Sequence, residues 1–156
     1  MTAIVREIAG FLAAALLVGG GAVWSFHPWT TGGVSPFSAV NEAEGLAMHI
    51  EAGSASPTGT ILCLENKTDR EWQFGQEYWL EKKEGGEWHE IRSLRAVAFD
   101  TLSYLLAPHS TREEVCSFSD SYGRLTSGEY RLVKELLREK SGGWESEYVA
   151  AEFVVE

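Results

Sequence analysis

The sequence predicts an all-β protein: an antiparallel β-sandwich preceded by an N-terminal apolar helix. Three observations carry this. From Gly45 onward, short runs of alternating apolar and polar residues are separated by turn-forming residues, the period-2 texture of half-buried strands. Roughly seven to nine such runs fit between Gly45 and Glu156, a spacing that suits two packed sheets. Ahead of them, Ile8 to Val23 is a stretch of sixteen residues without a charge.

That first stretch divides the chain into a membrane or signal segment over residues 1–25, a linker over 26–44 and a domain over 45–156. Sixteen residues fall just short of a bilayer span, and adding Trp24 to Phe26 makes the stretch long enough. Trp24, Phe26 and Trp29 then sit where an interfacial aromatic belt belongs. Read as an anchor, the segment is retained. Read as a signal peptide, it is cleaved after Ala22, where Gly20 and Ala22 supply small residues. A buried core helix is the third reading. Both export readings put the rest of the chain outside the cytoplasm, at the cell membrane or secreted. The linker is inferred from Pro28, Gly32-Gly33, Pro36 and scattered Ser and Thr.

The strands follow in order. Leu46, Met48 and Ile50 alternate with polar residues. Thr60 to Leu64 is nearly all apolar and ends at the turn cluster Asn66-Lys67-Thr68-Asp69. Trp72 and Phe74 alternate before Gly75. Tyr78 to Lys83 puts Tyr78 and Leu80 on one face and is joined to Trp88–Ile91 by Glu84-Gly85-Gly86-Glu87, a hairpin whose glycines reach positive φ cheaply. Val97 with Phe99, and Tyr104 to Leu106, are two short runs. Glu114, Cys116 and Phe118 share a parity. Tyr130 to Leu137 and Tyr148 to Val155 close the chain through Ser141-Gly142-Gly143, with Val149, Ala151, Phe153 and Val155 on one face. Helix competes with strand at Ser93–Leu106 and at Tyr130–Lys140, where the apolar residues also fit an i, i+3, i+4 pattern.

Before the penultimate strand, Leu125-x-x-Gly128-x-Tyr130 has the arrangement of a tyrosine corner. There a phenol at a strand entry bonds back to nearby backbone. The plainer reading is a glycine turn followed by a core tyrosine.

Together these motifs resemble a bacterial immunoglobulin-like domain family. The matching residues are Asn66 to Arg70, Phe74-Gly75, Tyr78-x-Leu80-Glu81-Lys82-Lys83, Trp88, Tyr122-Gly123-x-Leu125-x-x-Gly128-x-Tyr130-Arg131-Leu132-Val133-Lys134 and Ala151-Glu152-Phe153. The resemblance spans Gly45 to Glu156. It implies an immunoglobulin-like sandwich and an extracytoplasmic module, typically of Gram-positive bacteria, and carries over no functional residue. Pro108-His109-Ser110 departs from the Pro-Gly more usual at that turn, and Cys63 and Cys116 are not hallmarks of the family.

The residues that could carry chemistry are few. Two cysteines in an exported chain invite a disulfide between Cys63 and Cys116. Parity opposes it, because Cys63 alternates with Leu62 and Leu64 while Cys116 shares the face of Phe118. The alternative is two buried thiols acting as small apolar residues. His27, His49, His89 and His109 are scattered, without metal-ligand spacing, so neither a metal site nor a cofactor is expected. No nucleophile, metalloprotease or phosphate-loop motif is present, and an enzyme is not expected. Asp120-Ser121-Tyr122 lacks the alternating ligands of a calcium loop. Asn66-Lys67-Thr68 matches a glycosylation acceptor, but an Asn side chain bonding its own turn is the better reading.

Trp79 and Trp144 are candidate recognition aromatics. Trp79 is opposite in parity to Tyr78 and Leu80, and Trp144 falls at a hairpin tip. Against that stands packing on a core edge or a Lys stem. The formal net charge of −10 argues against nucleic acid as a partner. The expected function is a binding or structural module whose partner is a protein or cell-envelope ligand, membrane-associated through its first segment. The alternative is a protease inhibitor whose sandwich loops enter an enzyme cleft.

Overall fold

The computed structural model describes residues 31–94 and 102–156. In chain order its strands are β1 (Thr31–Val34), β2 (Leu46–Ile50), β3 (Gly59–Asn66), β4 (Trp72–Phe74), β5 (Trp79–Glu84), β6 (Glu87–Ile91), β7 (Tyr104–Leu106), β8 (Ser110–Ser117), β9 (Gly128–Lys140) and β10 (Gly143–Val155). There is no helix among the described residues. The apolar helix expected within residues 1–25 lies outside them, as does the run at Val97 and Phe99.

Every strand pairing is antiparallel. Strands β2, β3 and β8 form one sheet with β3 central. The other seven form a larger sheet in the order β1-β6-β5-β9. Strand β10 lies along the whole of one edge of β9, from Gly128↔Val155 to Lys140↔Gly143. The other edge of β9 is shared: β5 pairs with Tyr130–Val133, and β4 meets it at Leu137 and carries β7 beyond.

The core fills the space between the sheets, as two stacked inner faces require. Leu62 and Leu64 project from the smaller sheet and are fully buried, and Leu80, Tyr130, Leu132, Leu136 and Val149 meet them from the larger. Phe153 stacks on Phe118 and on Tyr130, with ring centroids 5.8 and 5.7 Å away. Tyr78 and Leu80 are buried together, and so are Val149, Ala151, Phe153 and Val155, as their parity requires. Gly59 faces the backbone of β8 so closely that a Cβ there would lie 2.5 Å from the Cys116 carbonyl oxygen.

The helical alternative at Tyr130–Lys140 is excluded, since the segment is a strand for its full length. Its helix-like pattern arises because β9 is buried on both faces through Tyr130–Lys134, so apolar residues no longer simply alternate. At the Gly85-Gly86 turn, φ values of 62° and 89° match the two positive positions of a tight hairpin. His109 has φ 52°, the left-handed conformation that glycine favours. This accounts for the Pro-Gly expectation at that turn. Here the imidazole is held instead by Asp69, Nε2 to Oδ1 2.6 Å.

Asn66 is 1% exposed, and both ends of its amide are saturated. Oδ1 accepts from the Thr68 N–H (2.9 Å) and hydroxyl (2.7 Å). Nδ2 donates to the carbonyls of Arg70 (2.7 Å), Leu106 (3.1 Å) and Ala107 (3.0 Å). The side chain thus ties the β3–β4 turn to the end of β7. Asn66→Ala strands several of these buried groups and is expected to lower stability by about 3 kcal/mol, read by urea denaturation.

Candidate functional site

The segment expected as a linker holds the first feature. Residues 31–41 do not run free of the domain. Thr31 and Val34 pair with Ile91 and His89, making β1 the edge of the larger sheet. The Ser35 N–H donates to the Trp88 carbonyl (2.8 Å), and the chain then crosses the outer face of the sheet. At the far edge Asn41 imitates a strand neighbour. Its N–H donates to the Tyr148 carbonyl (2.8 Å), its Nδ2 to the Ala150 carbonyl (3.0 Å), and its Oδ1 accepts from the Ala150 N–H (2.8 Å). Between these attachments Phe37 lies 5.0 Å from the Trp79 ring and 5.2 Å from that of Tyr148.

This strap covers a buried ion pair. Arg131 on β9 and Glu81 on β5 are directly opposite each other and 7% and 0% exposed. Arg131 Nε donates to Glu81 Oε2. Its Nη2 is satisfied by the strap, at the Ser35 hydroxyl (3.1 Å) and the Phe37 carbonyl (3.4 Å). The guanidinium also lies 4.8 Å from the Trp88 ring centre. A second buried pair joins the two sheets. Lys134 of β9, 1% exposed, reaches Glu114 of β8 at 2.9 Å and donates to the Glu77 carbonyl at 3.2 Å.

Beside that second pair an open cleft of about 510 Å³ is lined by Gln76, Tyr104, Arg112, Glu114, Cys116 and Asp120 among others. Arg112 rests on aromatic faces, 4.5 Å from the Tyr104 centroid and 5.3 Å from that of Phe74. Gln76 Nε2 donates to the Tyr104 hydroxyl at 3.0 Å. The cleft wall includes a thiol that burial holds in its neutral form. Burial pushes Cys116 up to about 12 and outweighs the opposing influence of Lys134.

The structure separates the sequence-derived candidates. Trp79 is not exposed: it is half-buried beneath Phe37 and beside Tyr148, because the strap occupies the face toward which its parity directs it. Trp144 is 59% exposed near the tip of the β9–β10 hairpin. Tyr130 is fully buried, and its hydroxyl donates to the Thr126 carbonyl at 2.8 Å, with Leu125 buried and Gly128 opening β9 between them. Cys63 and Cys116 are both free and buried, so the disulfide weighed from sequence is not formed. The two lie on neighbouring strands, but Cys116 faces Thr60 across the ladder while Cys63 faces Glu113, three residues along and on the opposite face. No bridge spans that offset. Burial, then Glu113, Glu51 and Glu65, raise the pKa of Cys63. Among the described residues, no three His, Cys, Asp or Glu side chains cluster to hold a metal ion.

Sequence reasoning missed Ser35, Phe37 and Asn41 because Pro and Gly dominate their segment. The signal was there in Phe37, a large apolar residue with no reason to lie in a solvated tether. It missed Glu81 and Arg131 as a pair because their adjacency depends on strand register.

Two sheets, a shared core and a phenol closing the entry to β9 define an immunoglobulin-like β-sandwich. The model of the family described as Bacterial Ig-like domain matches residues 42–154, and the chain belongs to that family. No curated protein and no solved structure matches it.

Two outcomes follow from the site. Arg131→Ala leaves Glu81 buried without its partner and is expected to cost about 3–5 kcal/mol in chemical denaturation. The second concerns alkali. Cys116 is neutral in the fold up to about 12, whereas an unfolded chain ionises it from its ordinary value of 9.0. The folded state therefore binds more protons in that window, and stability falls as pH rises from about 9 to about 12. Tyr78, Tyr122 and Tyr130, each raised chiefly by burial, add to the fall. Cys116→Ala is expected to flatten the pH dependence of the urea midpoint; an unchanged slope would show the thiol contributes nothing.

Proposed function

We propose that the protein is an extracytoplasmic binding or structural module, held at the cell membrane by its first 25 residues. The observation that carries this is membership of the bacterial Ig-like family over residues 42–154, in a chain with an uncharged sixteen-residue stretch ahead of that region. Modules of this kind are generally extracellular and act through surfaces rather than through catalysis. The surfaces available here suit that role. Strand β8 is an edge of the smaller sheet, with Val115 81% exposed, and the cleft beside Arg112 is open to solvent. Trp24, Phe26 and Trp29 directly after the apolar stretch favour retention over cleavage.

Topology and retention are separately measurable. Alkaline phosphatase fused after Glu156 is expected to be active, and β-galactosidase at the same position inactive; the reverse pattern rejects an extracytoplasmic domain. N-terminal sequencing of the membrane-bound protein is expected to begin at Met1 or Thr2, while a start at Val23 would identify a cleaved signal.

A further inference from the structure

Register decides which backbone groups of β8 are open. Just beyond the pair Ser117↔Gly59, the Phe118 N–H donates to the Thr58 carbonyl at 2.8 Å. Bonded and non-bonded pairs alternate along an antiparallel ladder. Cys116, Glu114, Arg112 and Ser110 therefore use their backbone groups on β3. Thr111, Glu113 and Val115, between them, turn N–H and C=O outward from the edge of the sheet. Among the described residues, no strand lies on that side. Ser117, the next of this set, is closed off, because its carbonyl accepts the Tyr78 hydroxyl at 2.8 Å.

The side chains of β8 divide in the same way. Arg112, Glu114 and Cys116 face the seam between the sheets, where Glu114 is held by Lys134. Thr111, Glu113 and Val115 face solvent. Among the described residues, neither Arg112 nor Glu113 is in an ion pair. Arg112 is oriented by the Tyr104 and Phe74 rings and keeps its fork of donors for a carboxylate. Asp120, the other carboxylate of the cleft, lies past the end of β8. Glu113 stands on an acidic outer face, with Glu51 and Glu65 also near Cys63. A second copy is a poor guest for this edge. Pairing centred on Glu113 sets the two Glu113 side chains against each other, and like charges directly opposite are destabilising.

We propose that β8 receives an extended segment of another protein as a fourth, antiparallel strand of the smaller sheet, and that it selects a basic residue followed directly by an acidic one. This deepens the reading of the chain as a binding module and rests on it. In the proposed register the basic side chain lies opposite Glu113, on the acidic outer face. The acidic one lies opposite Arg112 and enters the cleft, where it completes the guanidinium. Two residues before the base, an apolar side chain covers Val115, which is 81% exposed. Thr111, Glu113 and Val115 each supply one donor and one acceptor to the guest's main chain. Those bonds hold any extended segment, and the alternating side chains choose among them. The charges that reject a second copy are the ones that select the guest.

The test titrates two end-capped peptides into the isotope-labelled full chain in detergent micelles and follows its amide signals by NMR. One peptide has the core Val-Thr-Lys-Glu-Thr and the other Val-Thr-Glu-Lys-Thr, with the same composition and net charge. The first is expected to shift the amides of Thr111, Glu113 and Val115 to saturation, and the second to bind about tenfold more weakly. Arg112→Glu combined with Glu113→Lys is expected to reverse that preference, which loss of folding would not do. Val115→Pro removes an N–H that the sheet itself does not use, so it is expected to abolish binding and keep the rest of the spectrum. Unmoved signals at these three amides with millimolar peptide, or equal affinity for the two orders, overturn the proposal. So does a dimer that engages the same three amides, since a second copy is then the occupant. Binding is read independently of the fusion assay, so failure here removes the edge site and leaves the extracytoplasmic module standing.

Discussion

A strand in a two-layer sandwich ordinarily has one dry face and one wet one. Strand β9 has two dry faces through Tyr130–Lys134, and much of the molecule follows from keeping both covered. Its inner face is closed by the smaller sheet. Its outer face carries Arg131 against Glu81, and a charge there needs a full set of partners once water is removed. The strap supplies part of that set, on the arginine side, while Glu81 Oε1 is buried without a hydrogen-bond partner. The Ser35 hydroxyl and the Phe37 carbonyl accept from the guanidinium's Nη2, and Phe37 packs on the rings of Trp79 and Tyr148 beside it.

The same strand carries the link between the sheets. Lys134 points inward and meets Glu114 from β8, so a charge pair sits where apolar packing would serve as well. Pairs of this kind add little net stability over a hydrophobic substitute, but losing one partner is costly. Their effect is on alignment, because only one register of β8 and one sheet-to-sheet offset bring the two groups together. Edges are managed by similar means. Asn41 caps part of β10 with side-chain and backbone hydrogen bonds, and β8 carries Arg112, Glu113 and Glu114 in succession, a poor template for unwanted strand pairing.

This construction bears on function. The cysteines are buried and free, and burial raises the pKa of both, so they act as small packing groups rather than reactive thiols. The strap is also a mechanical matter. Residues 31–41 are part of the folded domain, fastened through an edge strand and a crossing segment. The surfaces that stay open include the β8 edge and the cleft beside Arg112.

Much of the fold was legible in the residues. Alternation at Leu46–Ile50 and Val149–Val155, the paired glycines at 85 and 86, and the Leu125-x-x-Gly128-x-Tyr130 spacing are local signals, and each depends on geometry within a few residues. Even the odd His109 pointed to its left-handed turn. Four features needed the tertiary structure. The strap looked like a linker because its bonds reach residues more than fifty positions away. The strand that the sequence favours at Tyr130–Leu137 kept a helical rival because burial on both faces erases the period of two. Trp79 gave no sign of its cover, which comes from Phe37. The pairing of Glu81 with Arg131 rests on a register between strands fifty residues apart, and no local pattern encodes it. The sequence by itself determined the family, the period of the strands and their turns. Only the tertiary structure decided which outer face is closed and by what, because the bonds that close it join residues distant in the chain.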